Sequence, residues 1–244
     1  MFPTLQLGPL ALPVAPLSLI LSIWLGLSLT EKFAKKHGQN ADALYNLTFI
    51  AILSAIAGAR LFFAAQNFSA FAQTPLSLFS RETGSLDPFG AFAAALLAAL
   101  LYGRRAGLKF WATLDGLTPL FAVFAVGLGI SRLASGTAFG METSLPWGIE
   151  LWGAVRHPTQ VYEIGLALLI LLSLGWWANG KQIGNGALFL LFVILTAGAQ
   201  LFVEGLRGDS TLLPGGLRAG QILAWLAMAA ALWGRNQVVD QQTD

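Results

Sequence analysis

The stretch Gly184–Leu206, GNGALFLLFVILTAGAQLFVEGL, decides the fold of this chain. It carries no charged side chain before Glu204, and most of its residues are apolar. A helix of about 20 mostly apolar residues crosses the roughly 30 Å hydrocarbon core of a bilayer. The stretch therefore predicts a transmembrane helix and, with it, a membrane protein.

The composition of the whole chain agrees with a polytopic membrane protein. Of its 244 residues, 56% are hydrophobic and 11% are charged, and the mean hydropathy is +0.68. A soluble domain carries about 25% charged residues, so these charges cannot cover a water-exposed surface. The net charge of +2 gives no electrostatic support for a nucleic-acid partner. The lack of cysteine excludes thiolate nucleophiles and cysteine-ligated metal sites.

Seven segments are long and apolar enough, or nearly so, to cross a membrane. They predict an all-α fold with seven transmembrane helices, in which residues 1–244 form a single domain. The third and seventh segments have the shortest apolar cores. The segments are Val14–Leu29, Leu47–Gln66, Ser85–Tyr102, Phe110–Ile130, Val161–Ala178, Gly184–Leu206 and Leu217–Trp233.

The distribution of positive charge predicts the orientation. Every lysine falls after the first, third or fifth segment, and Arg235 lies in the C-terminal tail. Loops rich in lysine and arginine stay on the cytoplasmic side. We therefore expect the N-terminus outside and the C-terminus in the cytoplasm.

The opposite side carries arginine but no lysine. The planar arginine fork matches phosphate, so lipid headgroups are one candidate partner; solvated pairing with nearby carboxylates is the other. These arginines are Arg81, Arg132, Arg156, Arg207 and Arg218. The longest connection on this side mixes turn formers with aromatic residues, which predicts an outer interfacial segment at 131–157.

Polar residues inside apolar segments are candidates for function, because a charge at bilayer depth costs at least about 2.5–3.5 kcal/mol. Arg60 is such a residue, although it could also extend to the headgroups. Asp115 follows a lysine, so we expect it to form a structural salt bridge or to support a helix start. Gln200, Glu204 and Arg207 have helical spacing and are expected to face one site.

The densest cluster of polar residues is Arg156–Glu163, RHPTQVYE. Pro158 suits the first turn of a helix, and Gln160 and Glu163 then share one face. A lone interfacial histidine is usually structural. Here His157 stands between an anion-binding arginine and a carboxylate, which also makes it a candidate for proton transfer.

This run resembles the R-H-P-[ST]-Q-[LV]-Y-E signature of the prolipoprotein diacylglyceryl transferases. Further stretches are similar to that family's motifs in the same order: Gly58–Phe62 (GARLF), Leu133–Gly140 (LASGTAFG), Pro146–Gly148 (PWG), Phe202–Arg207 (FVEGLR) and Gly220–Leu223 (GQIL). The family consists of seven-span bacterial inner-membrane enzymes with the N-terminus outside.

The resemblance implies an enzyme that moves diacylglyceryl from phosphatidylglycerol to the lipobox cysteine thiol of preprolipoproteins. Phosphatidylglycerol and preprolipoprotein signal peptides would be its partners, besides membrane lipid, and no metal or cofactor is implied. In this interpretation His157, Glu163 and Glu204 are the catalytic residues. The substrate-binding residues would be Arg60, Arg132, Arg156, Gln160, Arg207 and Gly140.

The chain departs from the family pattern at several motif positions. No arginine or tyrosine stands at the head of the first span, and the histidine of the third span is missing. Gly129 and Gln200 stand at two positions where the family has arginine. Arg132, three residues after Gly129, can take its place on the same helix face. A catalytically impaired member that binds phospholipid or a lipoprotein precursor is therefore an alternative to an active transferase.

Overall fold

The computed structural model describes residues 4–8, 10–74, 76–77, 86–181 and 183–240. This part of the chain forms eight helices and four short strands. The helices are α1 (Val14–Lys36), α2 (Ala41–Gln66), α3 (Phe68–Gln73), α4 (Pro88–Arg105), α5 (Phe110–Ser135), α6 (Thr159–Ala178), α7 (Ala187–Leu206) and α8 (Ala219–Asp240). The strands form two antiparallel hairpins, β1 (Thr4–Leu7) with β2 (Leu10–Pro13) and β3 (Ile149–Leu151) with β4 (Ala154–Arg156).

The seven long helices lie where the seven apolar segments predict them. The predicted start of the third segment, Ser85, lies outside the described residues. Five described helices, α1, α2, α5, α6 and α7, are long and apolar enough to cross a membrane. The chain is therefore a polytopic membrane protein, while the seven-span count and the orientation stay predictions. The sequence analysis did not predict α3 or the two hairpins.

The chain divides into two compact units, and the smaller one is Asn40–Thr113. Its helices α2 and α4 approach closely through two glycines: a Cβ on Gly58 would lie 2.6 Å from the Gly90 carbonyl oxygen. Small residues allow such close approach of membrane helices. Arg60 belongs to this unit; it is 8% exposed and donates from Nη2 to the Ser77 carbonyl at 2.9 Å.

The larger unit comprises Met1–Gln39 and Leu114–Asp244, and it contains α5 from Leu114 onward. Within the apolar 18-residue segment of each helix, 50% of the α5 residues are buried, compared with 17% for α6 and 28% for α7. Glycines on α5 allow its neighbours to come close. A Cβ on Gly127 would lie 2.4 Å from Ser22 Cβ on α1, and a Cβ on Gly129 would lie 2.7 Å from Ile164 on α6.

Asp115 has a structural role at a helix start, as expected, but the helix is α7 and not its own helix α5. Its fully buried carboxylate accepts hydrogen bonds from the backbone amides of Gly184, Gly186 and Phe189, each at 2.9 Å. These amides stand at the beginning of α7, where four N–H groups have no partner within the helix. Asp115 therefore fixes the position of α7 relative to α5.

Candidate lipid site at the polar end of the larger unit

Polar residues gather where α5 ends, α6 begins, α7 ends and α8 begins; we call this region the polar end. Its framework is the backbone of residues 139–143, which lies between two other segments. Met141 donates to the Leu206 carbonyl at 2.8 Å, and His157 donates to the Met141 carbonyl at 3.0 Å. Isolated antiparallel bridges join Gly140 to Arg207 and Glu142 to Arg156. The segment therefore holds the ends of β4 and α7 together.

Gly140 marks the closest packing in this framework. A Cβ at this position would lie 2.3 Å from the backbone oxygen of His157 and 2.6 Å from its Cβ. Gly208 packs against the other side, since a Cβ there would lie 2.8 Å from the Gly140 oxygen. Any side chain at position 140 would therefore force backbone movement next to His157.

Arg156, at the end of β4, is held by several groups of the polar end. Its Nε donates to the Leu151 carbonyl at 3.1 Å, and its Nη2 lies 3.3 Å from Glu142 Oε1. The guanidinium carbon lies 5.1 Å from the centre of the Phe139 ring, within the range of a cation–π contact. The side chain is 17% exposed and the Glu142 side chain 71%, so solvent reaches this pair from one side.

The next residues contain two buried polar atoms without partners in the described structure, His157 Nδ1 and Gln160 Oε1. Gln160 is fully buried, and its Nε2 donates to the Thr137 carbonyl at 2.9 Å. Exchanging the two amide atoms would set an oxygen against that carbonyl, so the hydrogen bond fixes the orientation. Thr159 donates to the neighbouring Ala138 carbonyl at 2.6 Å. The start of α6 is thus held by hydrogen bonds, while His157 Nδ1 and Gln160 Oε1 have no partner among the described residues.

A second network connects the end of α7 to the start of α8. Glu204 is 3% exposed; it accepts from Gln200 Nε2 at 3.0 Å and pairs with Arg207 at 3.3 Å. The three side chains therefore form one connected network, and their place in a functional site stays a prediction. Arg207 also pairs with Asp209 at 2.9 Å. Arg218 Nη1 donates to the Glu204 and Arg207 carbonyls at 2.7 and 2.6 Å, which closes the network.

Arg132 and Glu163 join α5 to α6. Arg132 Nη1 donates to both carboxylate oxygens of Glu163, at 2.9 and 3.0 Å. The Arg132 side chain is 30% exposed and the Glu163 side chain only 10%. Gly129 contacts Ile164, the neighbour of Glu163, so positions 129 and 132 face α6 together. An arginine at 129 would not fit this close approach, whereas Arg132 brings a guanidinium to the same interface.

A cavity of about 100 Å³ lies between α5, α6 and α7. Arg132, Glu163 and Gln200 line it at one end, and its remaining wall is mostly apolar, with Ala125, Leu128, Leu166, Ile170 and Phe192 among the residues that line it. Thr196 also lines the cavity, one helical turn from Gln200, and its Oγ1 is buried without a hydrogen-bond partner among the described residues. The cavity is therefore amphipathic along its length.

The predicted site residues fall into three groups. Arg132 and Glu163 line the cavity, and Glu204 and Arg207 connect to it through Gln200. A second group packs on the backbone of residues 137–140 and is not among the residues that line the cavity; it consists of His157, Gln160, Gly140 and Arg156. The third is Arg60, in the smaller unit. Arg81, the remaining candidate arginine, lies outside the described residues.

The sequence pattern did not indicate Thr196. It indicated Arg218 only as one of the arginines on the side without lysine, and not as a link between α7 and α8. Thr196 sits inside an apolar run, where a single hydroxyl carries no signal of its own. The helical spacing Thr196–Gln200–Glu204 is the pattern that could have found it. Among the described residues, no group of three or more His, Asp or Glu is placed to hold a metal ion.

Comparison with known proteins identifies the family. Residues 3–235 match the family model described as prolipoprotein diacylglyceryl transferase. The chain is 31% identical to a protein from Synechocystis sp., over 93% of this chain and 87% of the relative. It is 29% identical to proteins from Nostoc sp. and Bordetella avium, over 94% of this chain and 86% and 92% of those relatives. All three are named phosphatidylglycerol–prolipoprotein diacylglyceryl transferase. Since the family model covers nearly the whole sequence, the chain belongs to the prolipoprotein diacylglyceryl transferase family.

Proposed function

We propose that this protein transfers the diacylglyceryl group of phosphatidylglycerol to the lipobox cysteine thiol of preprolipoproteins. Its membership of the family and the names of its relatives support a transferase that uses these two substrates. The observation that carries the proposal is the Arg132–Glu163 pair at one end of an otherwise mostly apolar cavity. A glycerophospholipid has the same layout, with one charged end and apolar chains.

The reaction needs one nucleophile, one base and a set of cations. The cysteine sulfur bonds to the carbon of the diacylglyceryl group that bears the phosphate. The bond from that carbon to the phosphate oxygen breaks. Glycerol phosphate leaves with the electron pair, and the thiol proton passes to a base. Guanidinium groups stabilise the charge that grows on the phosphate. Arg132 and Arg207 are the cations nearest the cavity network, and Arg156 is proposed to complete the headgroup binding there. Arg60, in the smaller unit, stays a proposed substrate-binding residue on the basis of the resemblance alone.

His157 is our candidate for the base. Its Nδ1 is buried and has no hydrogen-bond partner in the described structure, so no described protein group competes with a substrate thiol for this nitrogen. Glu163 and Glu204 each hold an arginine by an ion pair, which suits residues that orient the cations. Gln160 Oε1, a buried acceptor without a donor, is proposed to receive a hydrogen bond from a bound substrate.

We further propose that the enzyme resides in the bacterial inner membrane, with seven spans and the N-terminus outside. The polar end then lies at the outer surface, because the lysines lie at the opposite helix ends. Outer exposure suits a substrate whose signal peptide has already entered the membrane.

A peptide-modification assay tests the proposed transfer. Purified protein in phosphatidylglycerol vesicles is expected to add one diacylglyceryl mass to the cysteine of a lipobox peptide, as measured by mass spectrometry. His157→Gln is expected to lower the rate by roughly 100-fold to 10,000-fold, the usual contribution of a general base. His37→Gln is the matched control and should leave the rate unchanged. An unmodified peptide after incubation with the wild-type protein would contradict the proposal.

A second candidate function is lipid or precursor binding without catalysis. The specific observation in its favour is that Arg132, Arg156 and Arg207 already pair with carboxylates, and that a neutral Gln200 stands where the family has arginine. A phosphate must then compete with the protein's own carboxylates. Expression in a bacterium depleted of its transferase separates the two candidates: restored growth with lipidated lipoproteins excludes the binding-only function.

A further inference from the structure

The cavity between α5, α6 and α7 has the depth of one membrane leaflet. Its wall runs on α5 from Arg132 to Ala122. At 1.5 Å per helical residue this is about 15 Å. Half of a bilayer's hydrocarbon core is also about 15 Å thick. The wall therefore spans the depth of one leaflet, and the cavity volume of about 100 Å³ gives room for the first few methylene groups of an acyl chain that enters from its polar end.

The residues of the wall follow the order of groups in a glycerolipid: charged headgroup, ester and apolar chain. The charged pair Arg132–Glu163 and the Gln200 amide occupy the polar end. Thr196 follows one turn deeper, about 6 Å along α7. Its buried hydroxyl has no partner among the described residues, and such a group needs an acceptor from a ligand or water. Below Thr196 the wall is apolar, with Ile170 and Phe192 at the deep end.

We infer that this cavity is an acyl-chain site: it holds one ester-linked chain of a glycerolipid, whose ester carbonyl accepts a hydrogen bond from Thr196 Oγ1. The inference deepens the proposed function, since it assigns the position of one chain of the donor lipid. The chain beyond the ester then lies along the apolar wall. The alanines at positions 122, 125, 167 and 199 leave the room for it, so they set the length of chain that fits.

A larger side chain in the cavity tests whether the cavity selects the length of the acyl chain. Two phosphatidylglycerols, one with short and one with long acyl chains, compete for the purified protein, and native mass spectrometry measures the ratio bound. Ala125→Leu is expected to lower the long-to-short ratio by about tenfold, the effect of excluding roughly two methylene groups. Ala227→Leu makes the same change at an exposed position on α8 and should leave the ratio at the wild-type value. An unchanged ratio in a folded Ala125→Leu protein would overturn the inference; Ala199→Leu serves if Ala125→Leu does not fold.

A second comparison tests the hydroxyl. Wild-type protein should prefer ester-linked over ether-linked phosphatidylglycerol of equal chain length, and Thr196→Val should remove this preference while retaining binding. Equal preference in both proteins would overturn the ester assignment. These readouts need no turnover. If the binding ratio shifts but no peptide is modified, the acyl-chain site is supported and the transferase function is rejected. If peptide is modified but the ratio does not shift, the transferase function is supported and the acyl-chain site is rejected.

Discussion

Arg132→Gln is expected to abolish diacylglyceryl transfer and to destabilise the protein. The Glu163 side chain is only 10% exposed, so removing its cation leaves a nearly buried carboxylate unpaired. Breaking a buried pair costs about 3–5 kcal/mol, and the 30% exposure of Arg132 places this case toward the lower end. Losing one group that stabilises charge in the transition state lowers a rate by roughly 100-fold to 1,000-fold, which leaves no transfer above the background of the peptide assay. Thermal unfolding in detergent and the peptide-modification rate measure the two effects.

The double variant Arg132→Gln with Glu163→Gln separates stability from chemistry. Two amides can form a hydrogen bond across the same α5–α6 interface without an unpaired charge. We expect the unfolding temperature to return close to the wild-type value while transfer stays absent. Transfer at the wild-type rate in the double variant would show that Arg132 does not bind the headgroup.

Gly140→Val is the second change with a large expected effect. Its Cβ would lie 2.3 Å from the His157 backbone oxygen, a distance that only backbone movement can relieve. Overpacking of this kind costs about 1–3 kcal/mol. The movement also displaces His157 and the bridge from Gly140 to Arg207, so we expect transfer to fall below detection. The same rate assay and unfolding measurement report on both effects.

Gly165→Ala is the matched control for Gly140→Val. Gly165 is exposed on α6, and a Cβ there would meet no atom within 4 Å. Alanine in a helix is more favourable than glycine by up to about 1 kcal/mol, so stability should stay equal or rise. If Gly140→Val were as active as Gly165→Ala, the framework of residues 139–143 would not position the site.

The helices were predictable because a helix that crosses the bilayer needs about 20 mostly apolar residues. Each long apolar run forms a helix, and the predicted and observed ends of α6 both fall at Ala178. The polar contacts near helix ends were also predictable from spacing, since Gln200, Glu204 and Arg207 differ by three or four residues. A structural role for Asp115 was predicted from its place at the beginning of an apolar run, whereas its partners at the start of α7 were not.

The cavity and the hairpins were not predictable from sequence. A void depends on how three helices pack, and alanine lines a cavity such as this one as readily as it fills a close contact, as at Ala59 on α2. The β3–β4 hairpin forms through Trp152 and Gly153, both at positive φ, and tryptophan is not a usual turn residue. The partners of Arg156 depend on the same hairpin, because Leu151 and Arg156 stand on its two strands.

The most direct measurement of the central claim is photo-cross-linking by a phosphatidylglycerol that carries a diazirine on one acyl chain. We expect adducts on residues that line the cavity, such as Leu128, Leu166 and Phe192, and their loss in Ala125→Leu. Adducts confined to exposed side chains such as Trp176 and Leu223, with none in the cavity, would contradict this expectation.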